Sequence, residues 1–276
     1  MNISVLILTL NEEVNLPRCL ESLSWCDDVV VLDSFSADRT VGVADALGVR
    51  VVQREFDNYA SQRNFGLNEI KYSNPWLLMV DADEVVPPEL VQEIRSVLAD
   101  SDDAFCLYRL RRKDYFLGRW IKRSSGYPTW FGRLVRIGRV RVEREINEEY
   151  ITDGKVGYLV SHFHHYPFNK GFASWLEKHN RYSTMEARLI IQGGIDWPSF
   201  KSFFASDPAI RRKALKAFVY HMPGRPLLVF FAFYLLRLGF LDGQAGFAFC
   251  LLRCFYEFMI NCKVKELSMR QRRLPL

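Results

Sequence analysis

Four short apolar runs occur before residue 104, and each is followed by a segment in which apolar residues have helical spacing. The runs are Ile3–Leu8, Val29–Leu32, Val49–Gln53 and Trp76–Val80. The helical segments are Leu16–Leu23, Val41–Leu47, Asn58–Ile70 and Pro88–Leu98. Short apolar runs without alternation are typical of strands buried on both faces. Strand–helix alternation of this kind predicts a parallel sheet with right-handed crossovers.

Polar residues follow three of these four runs, at the point where each predicted strand ends. They lie in Thr9–Glu12, Asp33–Asp38 and Asp81–Glu84. Ligands of such sheets bind beyond the carboxyl ends of the strands. The pattern therefore predicts one site with many oxygen ligands at this edge.

The pattern changes after residue 104. Ala104–Arg112 alternates, Gly118–Gly138 is rich in arginine and aromatic residues, and Val140–Tyr150 is strongly charged. These features favour antiparallel strands and long loops that could bind an acceptor. Trp175–Ile191 predicts an amphipathic helix. We therefore expect a domain over 1–200, divided into halves at 1–103 and 104–200, and a helical region over 201–276.

The last region contains two apolar stretches, Pro226–Leu236 and Ala245–Leu252, flanked by basic clusters. Neither reaches the roughly 18–20 residues that a membrane-spanning helix needs. Two short apolar helices with basic flanks favour an interfacial or re-entrant anchor on an anionic leaflet. The alternative is a helical pair that packs on the protein core or on a second subunit.

Composition narrows the class of protein. A net charge of +5 over 276 residues is mild and does not imply nucleic-acid binding. The six cysteines include no CxxC pair, which indicates reduced thiols in a reducing compartment. The segment MNISVLILTLNEE lacks the features of a signal peptide, so we expect the catalytic part to be cytoplasmic.

Asp81 and Asp83 follow a buried strand at positions i and i+2. Carboxylates placed in this way suit Mg²⁺ or Mn²⁺, and such an ion could bridge a diphosphate. The alternative is a solvated acidic turn. We expect Asp33 to contact a base or ribose and Asp38 to cap the loop. Arg63 could pair with the acidic cluster, bind phosphate or lie on the surface.

His162, His164 and His165 form a cluster in which one member could supplement the aspartates as a metal ligand. A zinc hydrolase would require more, because the chain has no HExxH motif and no cysteine pair.

Several stretches together carry a family resemblance. They include ISVLILTLNEEVNLPRCLESL, VVVLDSFSADRT, QRNFG, LLMVDADE, YFLGRWI, HHYPF, KHNRYSTMEA and FLDGQAGF. In this order and spacing they resemble the inverting family-2 glycosyltransferases, and most of all the bacterial lipopolysaccharide-core β-1,4-glucosyltransferase group. The resemblance covers most of the chain.

The resemblance implies an α/β fold of the GT-A type. This fold has a doubly wound, mostly parallel, Rossmann-like sheet, here joined by an antiparallel acceptor-side portion and a C-terminal helical, amphipathic appendage. It also implies a nucleotide diphosphate sugar donor. Among such donors, a UDP-sugar that carries glucose is the expectation. The residues that it places at the donor are Thr9, Asn11, Glu12, Asp33, Arg63, Asn64 and Asp81. It implies Mg²⁺ or Mn²⁺ on Asp81, Asp83 and His165.

An inverting transfer needs a base beside the acceptor hydroxyl and charge stabilisation at the leaving diphosphate. Related enzymes often have His-Glu where this chain has Asn147-Glu148. We expect Glu148 to be the base and Glu84 to be its competitor. Alternatively, Glu148 could simply pair with nearby arginines. Asn147 departs from the family histidine, so this chain would use Asn147 or another group in its place.

The resemblance further implies a glycolipid or lipid-linked saccharide acceptor. It also implies a role in cell-envelope polysaccharide synthesis, including lipopolysaccharide, at the cytoplasmic face of the inner membrane. We expect peripheral or monotopic attachment there and no nucleic-acid partner, and a homo-oligomer is compatible with these features. The alternatives are a non-catalytic membrane-bound scaffold with the same fold and a sugar nucleotidyltransferase. The latter would carry a glycine- and lysine-rich phosphate loop, which ILTLNEE lacks.

Overall fold

A computed structural model of the chain describes residues 2–99, 104–143, 149–193, 197–205, 208–222 and 224–275. Two compact units account for the chain. The sheet unit consists of residues 1–115 and 127–170, and the helical unit consists of residues 116–126 and 171–276. The helical unit thus begins well before residue 200, because the long helix after residue 171 packs with the C-terminal helices.

The first part of the sheet unit alternates strands and helices as predicted. In chain order the elements are β1 (Ile3–Thr9), α1 (Leu16–Glu21), β2 (Val29–Asp33), α2 (Thr40–Ala46), β3 (Arg50–Gln53), α3 (Tyr59–Asn68) and β4 (Trp76–Asp81). β1 lies between β2 and β4 and is parallel to both, and β3 is parallel to β2. The chain therefore changes direction across the sheet between β1 and β4, which makes their carboxyl ends a topological switch point.

Apolar residues fill both faces of this sheet, which explains the continuous apolar runs. Val5 and Ile7 of β1 pack on one face with Leu16 and Cys19 of α1. Leu6 of β1 packs on the other face with Leu67 of α3. α3 lies close to β1 at Gly66, where a Cβ atom would lie 2.4 Å from the Leu6 Cδ2 atom, so only glycine fits without a shift in the core.

The later elements of the sheet unit extend this sheet and add one helix and a separate hairpin. They are β5 (Glu84–Val85), α4 (Pro88–Ala99), β6 (Phe105–Phe116), β8 (Phe131–Arg136), β9 (Arg141–Glu143), β10 (Glu149–Ile151) and β11 (Lys155–His165), with β7 (Arg119–Trp120) in the helical unit. The strand order is β3-β2-β1-β4-β8-β6-β11-β5, and β9 and β10 form a separate hairpin.

The pairing in this half is mixed. β8 is antiparallel to both β4 and β6, as predicted. β9 and β10 are also antiparallel, so the antiparallel strands predicted before residue 150 are confirmed. β11, for which the sequence predicts no direction, is parallel to β6. The predicted α/β class, with a mostly parallel sheet of the GT-A type and a C-terminal helical region, is confirmed.

The helical unit contains α5 (Phe172–Ile191), α6 (Pro208–His221), α7 (Arg225–Phe231) and α8 (Gly243–Gln271). A π-helical turn continues α7 over Ala232–Leu236. α8 packs along α5 and α7. A buried ion pair between Arg225 and Glu257 joins α7 to α8, and the Arg225 guanidinium lies 3.6 Å from the Tyr220 ring centroid.

α8 is longer than the sequence pattern predicts. We expected a short apolar piece, but one continuous helix of 29 residues runs to Gln271. Its polar residue Glu257 does not interrupt it, because the side chain is buried against Arg225. By length and composition alone, Gly239–Gln271 is sufficient to cross a membrane, and 28% of its most apolar window is buried within the protein.

Candidate active site

The switch point brings three of the predicted strand ends together. Thr9 of β1 is the register partner of Asp33 at the end of β2, and Leu8 is the partner of Asp81 at the end of β4. The residues after these strands therefore surround one crevice at the carboxyl edge of the sheet, where ligands of this fold type bind.

Asp33 organises this edge from within. Its side chain is fully buried and accepts hydrogen bonds from Thr9 Oγ1 (2.9 Å), Ser36 N (2.9 Å) and Gln53 Nε2 (3.1 Å). The predicted contact with a base or ribose would have to replace one of these bonds. The expectation that Asp38 has a structural role is confirmed, because its carboxylate accepts hydrogen bonds from Thr40 N and Glu13 N.

The loop after β1 is held by side chains from distant parts of the chain. Asn11 adopts a left-handed backbone conformation (φ 55°), and its side-chain oxygen accepts a hydrogen bond from Ala37 N. Glu12 binds Lys170 Nζ at 2.6 Å, and Lys170 also donates to the carbonyl of Asn11. Burial raises the pKa of Glu12 despite the Lys170 contact. Lys170, which sequence reasoning missed, thus shapes the loop that carries two predicted donor residues.

Asp81 is held by two arginines. Arg63 Nη2 lies 2.9 Å from Asp81 Oδ1, and Arg133 Nη2 lies 2.5 Å from Asp81 Oδ2. Both guanidinium groups are almost fully buried, with 4–5% of each side chain exposed. Although burial opposes ionisation, Arg133 and Arg63 hold the pKa of Asp81 well below its usual range.

This arrangement gives Asp81 partners that the sequence does not predict. Both of its carboxylate oxygens bind guanidinium groups in this structure, and its role as a metal ligand stays a prediction. The prediction that Arg63 pairs with the acidic cluster is confirmed. Arg133 was not predicted, because it lies on β8 and nothing in the local sequence connects it with Asp81.

Glu84 supports the same cluster. Its side chain is 1% exposed, with Oε1 3.1 Å from Arg133 Nη2 and Oε2 accepting a hydrogen bond from Asp81 N at 3.0 Å. Burial raises the pKa of Glu84 in spite of the nearby Arg133. A base must reach an acceptor hydroxyl, so a buried carboxylate with both oxygens engaged is a support for the strand end and a poor base.

Asp83 faces His165. The Asp83 Oδ2 and His165 Nε2 atoms are 3.2 Å apart, and His165 Nδ1 lies 2.6 Å from Asp114 Oδ1. The pairing of β5 with β11 causes this approach, because Glu84 is the register partner of His165. Burial and Arg112 oppose protonation, but Asp83 and Asp114 raise the pKa of His165 to about 9.

Asp83 and His165 fit a divalent cation. A carboxylate and an imidazole are suitable ligands for Mn²⁺, and Asp114 orients His165 in the way that carboxylates orient metal-binding histidines. Among the described residues, no group of three His, Cys, Asp or Glu side chains is arranged around a common point. A cation on this pair would therefore need further ligands from a diphosphate or water.

One other predicted residue, Asn64, lies away from the carboxylate cluster. Asn64 is predicted at the donor, but its amide bonds both backbone groups of Val142, at 2.7 and 2.8 Å, and so joins α3 to β9. We assign it to support of the site. The predicted base Glu148 and its neighbour Asn147 lie outside the described residues.

Comparison with known proteins decides the family. Residues 4–168, which include every residue of this site except Lys170, match the model of the family described as "Glycosyl transferase family 2". The chain belongs to glycosyl transferase family 2. The predicted family and the enzyme class of glycosyltransferase are thereby confirmed.

Other glycosyltransferases resemble this family-2 member over most of its length. It is 29% identical over 203 residues to the lipopolysaccharide core biosynthesis glycosyltransferase LpsC of Rhizobium meliloti, covering 70% of this chain and 73% of the relative. It is 24% identical over 282 residues to the uncharacterized glycosyltransferase RT0209 of Rickettsia typhi, covering 98% of this chain and 89% of the relative.

Among solved structures, this glycosyltransferase is similar to glucosyl-3-phosphoglycerate synthase from Mycobacterium tuberculosis in complex with Mn²⁺, UDP and glucosyl-3-phosphoglycerate. The identity is 28%, the TM-score is 0.34, and the match covers 42% of this chain and 44% of that chain. The match spans less than half of either chain.

Proposed function

We propose that this family-2 member is an inverting hexosyltransferase. It would move glucose from a UDP-sugar to a lipopolysaccharide-core or other lipid-linked saccharide. The observation that carries the proposal is the pairing of Asp83 with His165 beside the arginine-bound Asp81, at the carboxyl edge where three strand ends meet.

The donor would lie across this edge. Thr9, Asn11, Glu12 and Asp33 surround the crevice at the ends of β1 and β2, where a base and ribose would bind. Arg63 would lie near the diphosphate, because a planar guanidinium matches the geometry of phosphate oxygens. Its present partner Asp81 keeps this buried cation paired when no donor is bound.

Mg²⁺ or Mn²⁺ would be held by Asp83 and His165, and a bound divalent cation supplies charge neutralisation at a leaving diphosphate. The residues of the chain prepare this position. Asp114 fixes the His165 ring through Nδ1, and Arg112 in turn binds Asp114 Oδ1 at 3.0 Å.

The reaction would be a single in-line displacement. The acceptor hydroxyl oxygen attacks the anomeric carbon, and the bond from that carbon to the diphosphate oxygen breaks with its electron pair on the leaving nucleoside diphosphate. The base removes the hydroxyl proton as the new glycosidic bond forms. Glu148 is proposed as this base, since the contacts of Glu84 leave it buried and engaged.

The proposed location of the enzyme in the cell is based on its acceptor and on the exposed surface of the helical unit. LpsC acts in lipopolysaccharide core biosynthesis according to its name, and an acceptor of that kind lies in a membrane. The helical unit exposes many large apolar side chains, including Phe200, Phe204 and Leu236 with 74–83% exposure. We propose that the sheet unit carries the transfer and that the helical unit attaches the enzyme to the cytoplasmic face of the inner membrane.

The experiment is a thermal-shift panel of nucleotide sugars, each with and without Mn²⁺. A ligand that binds the folded state raises the melting temperature by mass action. We expect a metal-dependent shift with one uridine sugar, and release of nucleoside diphosphate when acceptor is added. A folded protein that shifts with no donor, in the presence of vesicles as well as without them, would contradict the proposal.

A further inference from the structure

One face of the sheet unit carries aromatic and basic side chains that the site described above does not use. These residues belong to β6, β11 and the segment that leads into β8. We call them the aromatic–basic strip, and its members are Arg111, Tyr127, Trp130, Tyr158 and His162.

The strip is built around Arg111. The guanidinium carbon of Arg111 lies 4.7 Å from the Trp130 ring centroid and 5.7 Å from that of Tyr127. Trp130 meets Tyr158 edge to face with ring centroids 5.0 Å apart. The Tyr127 hydroxyl is hydrogen-bonded to His162 Nε2 at 2.7 Å. The rings are therefore fixed by one another before any ligand arrives.

The strip is partly open to solvent. Tyr158 is 58% exposed, the other four members are half-buried, and the neighbouring Val160 on the same strand is 71% exposed. Leu159 and Phe163 point to the other face of β11 and are buried in the core, so the two faces of this strand have different environments.

The strip leads towards the proposed reaction centre. His162 and Arg111 are register partners in the parallel pair of β11 and β6. His165 follows His162 by three residues on β11, a distance of roughly 10 Å along a strand. His164, between them, contacts the Tyr115 ring, and Tyr115 stacks on Tyr166. Because successive side chains of a strand point to opposite faces, His165 lies on the face opposite the strip, at the carboxyl end of β11. A chain of sugars that lies along these rings would therefore reach His165 by passing over this edge of the sheet.

The charges of the strip favour an anionic ligand. A guanidinium has five N–H donors, and the Val160 carbonyl is the one hydrogen-bond acceptor that the described residues offer to Arg111. Lys113 follows Arg111 two residues later on β6. The nearby Glu93 carboxylate is engaged by the backbone N–H groups of Val160 (2.6 Å) and Ser161 (2.7 Å). Glu89, the other acidic group near His164, lies towards the end of the strip.

We infer that the aromatic–basic strip is the acceptor subsite and binds a saccharide that carries a phosphate or carboxylate group. The C–H faces of the sugar rings pack on Tyr158 and Trp130, and Arg111 binds the anionic group, since guanidinium recognises both phosphate and carboxylate. This inference rests on the proposed function for its direction, because it assigns the acceptor of that reaction.

The test measures binding and turnover separately. The probe is a phosphorylated lipopolysaccharide-core oligosaccharide freed of its acyl chains, and a second sample of it is dephosphorylated. Dissociation constants are measured by calorimetry on the full chain, and acceptor KM and donor KM are measured by release of nucleoside diphosphate. The variants are Tyr158→Ala and Arg111→Gln. Leu47→Ala is the control, because Leu47 is equally exposed (57%) at the end of α2.

We expect Tyr158→Ala to weaken both oligosaccharides by roughly fivefold, the contribution of one aromatic contact. Arg111→Gln should weaken the phosphorylated probe by about tenfold and the dephosphorylated one much less. If the anionic group is a carboxylate instead, dephosphorylation should leave the dissociation constant unchanged. Arg111→Gln should then still weaken the binding of both probes. Donor KM should stay constant in every variant, and Leu47→Ala should change nothing.

Unchanged acceptor binding in both strip variants would overturn the inference even if the wild type transfers sugar. Absence of turnover in the wild type would instead contradict the proposed function, and the direct binding data would still decide whether the strip recognises an anionic saccharide. Melting temperatures of the variants, read in the same samples, exclude unfolding as the cause of a loss.

Discussion

Arg133 connects the half-buried carboxylate of Asp81 to the fully buried carboxylate of Glu84. Removal of one member of such a buried ion cluster strongly destabilises the folded protein, because the remaining charge has neither water nor a partner. The cluster is therefore both a support of the strand end and the setting of the acidic motif. A change at Arg133 should be felt in stability and in donor binding.

We predict that Arg133→Met lowers the free energy of unfolding by about 3–5 kcal/mol. Arg133→Lys should recover only part of this, because one ammonium cannot reproduce the bidentate contact with Asp81. Urea denaturation measures both. The control is Arg139→Met, which removes an exposed ion pair with Asp153 and should have a much smaller effect. Equal losses at Arg133 and Arg139 would show that the buried cluster is not what stabilises this edge.

Asp83 differs from Asp81 in having a histidine as its partner. We predict that Asp83→Ala abolishes the Mn²⁺-dependent part of the donor thermal shift and metal-dependent turnover, while the far-UV circular dichroism spectrum stays that of the wild type. Asp153→Ala is the control, because Asp153 is 79% exposed and distant in the sequence. Full activity of Asp83→Ala at saturating metal would refute the assignment of the cation to this residue.

At the scale of elements, the sequence predicted what is determined locally. Apolar runs such as Ile3–Leu8 became β1 because a strand buried on both faces needs no alternation. Partners were harder to predict. Arg133 and Lys170 meet Asp81 and Glu12 only through the order of the strands, which no local pattern encodes. The sequence predicts no direction for β11 and too short an α8 for the same reason, since both depend on contacts with distant residues.

The packing of α5 on α8 includes a histidine that responds to pH. His179 stacks on Trp175 with ring centroids 3.7 Å apart and meets Tyr256 of α8 at 5.3 Å. Burial lowers the pKa of His179 to about 4, against the hydrogen bond to the Trp175 carbonyl, and Lys178 and Arg253 contribute to the shift. The folded protein therefore favours the neutral ring.

We predict that this histidine makes stability fall in mild acid. The unfolded chain binds the proton near pH 6.5 and the folded chain only near pH 4, so its contribution is complete above about pH 6.5 and is lost progressively towards pH 4. Melting temperatures of the wild type and His179→Gln, measured across this window, should converge as the pH falls. Parallel curves would show that His179 does not titrate in this way. The shifted His162 adds a slope common to both proteins.

At the scale of the whole molecule, the two units present different surfaces. The sheet unit buries its apolar residues in two clusters. The helical unit instead exposes an apolar stripe on α8, formed by Phe247, Leu251, Phe255 and Phe258 with 44–55% exposure. These residues recur at spacings of three and four, so they lie along one side of the helix. Exposed basic residues, among them Lys201, Arg211 and Arg237, belong to the same unit.

We predict that this stripe binds an anionic lipid surface. Replacement of Phe247, Leu251 and Phe255 by serine should reduce partition into vesicles that contain phosphatidylglycerol by at least roughly tenfold, because each side chain loses part of the 1.5–3 kcal/mol that full burial provides. Vesicle flotation at low and high salt measures this. The salt-dependent, electrostatic part should persist in the triple variant, since the basic residues are intact.

The same experiment separates the membrane from a second copy of the chain as the partner of the stripe. The control replaces Val14 and Leu47, exposed apolar residues of the sheet unit, by serine and should leave partition unchanged. If the α8 triple variant keeps full binding to vesicles but loses a concentration-dependent dimer seen by sedimentation, the stripe covers another subunit. Loss of vesicle binding in a protein that is monomeric before and after the change places the lipid surface on α8. In that case attachment would hold the sheet unit near its acceptor and raise the effective concentration of the two without any new contact at the reaction centre.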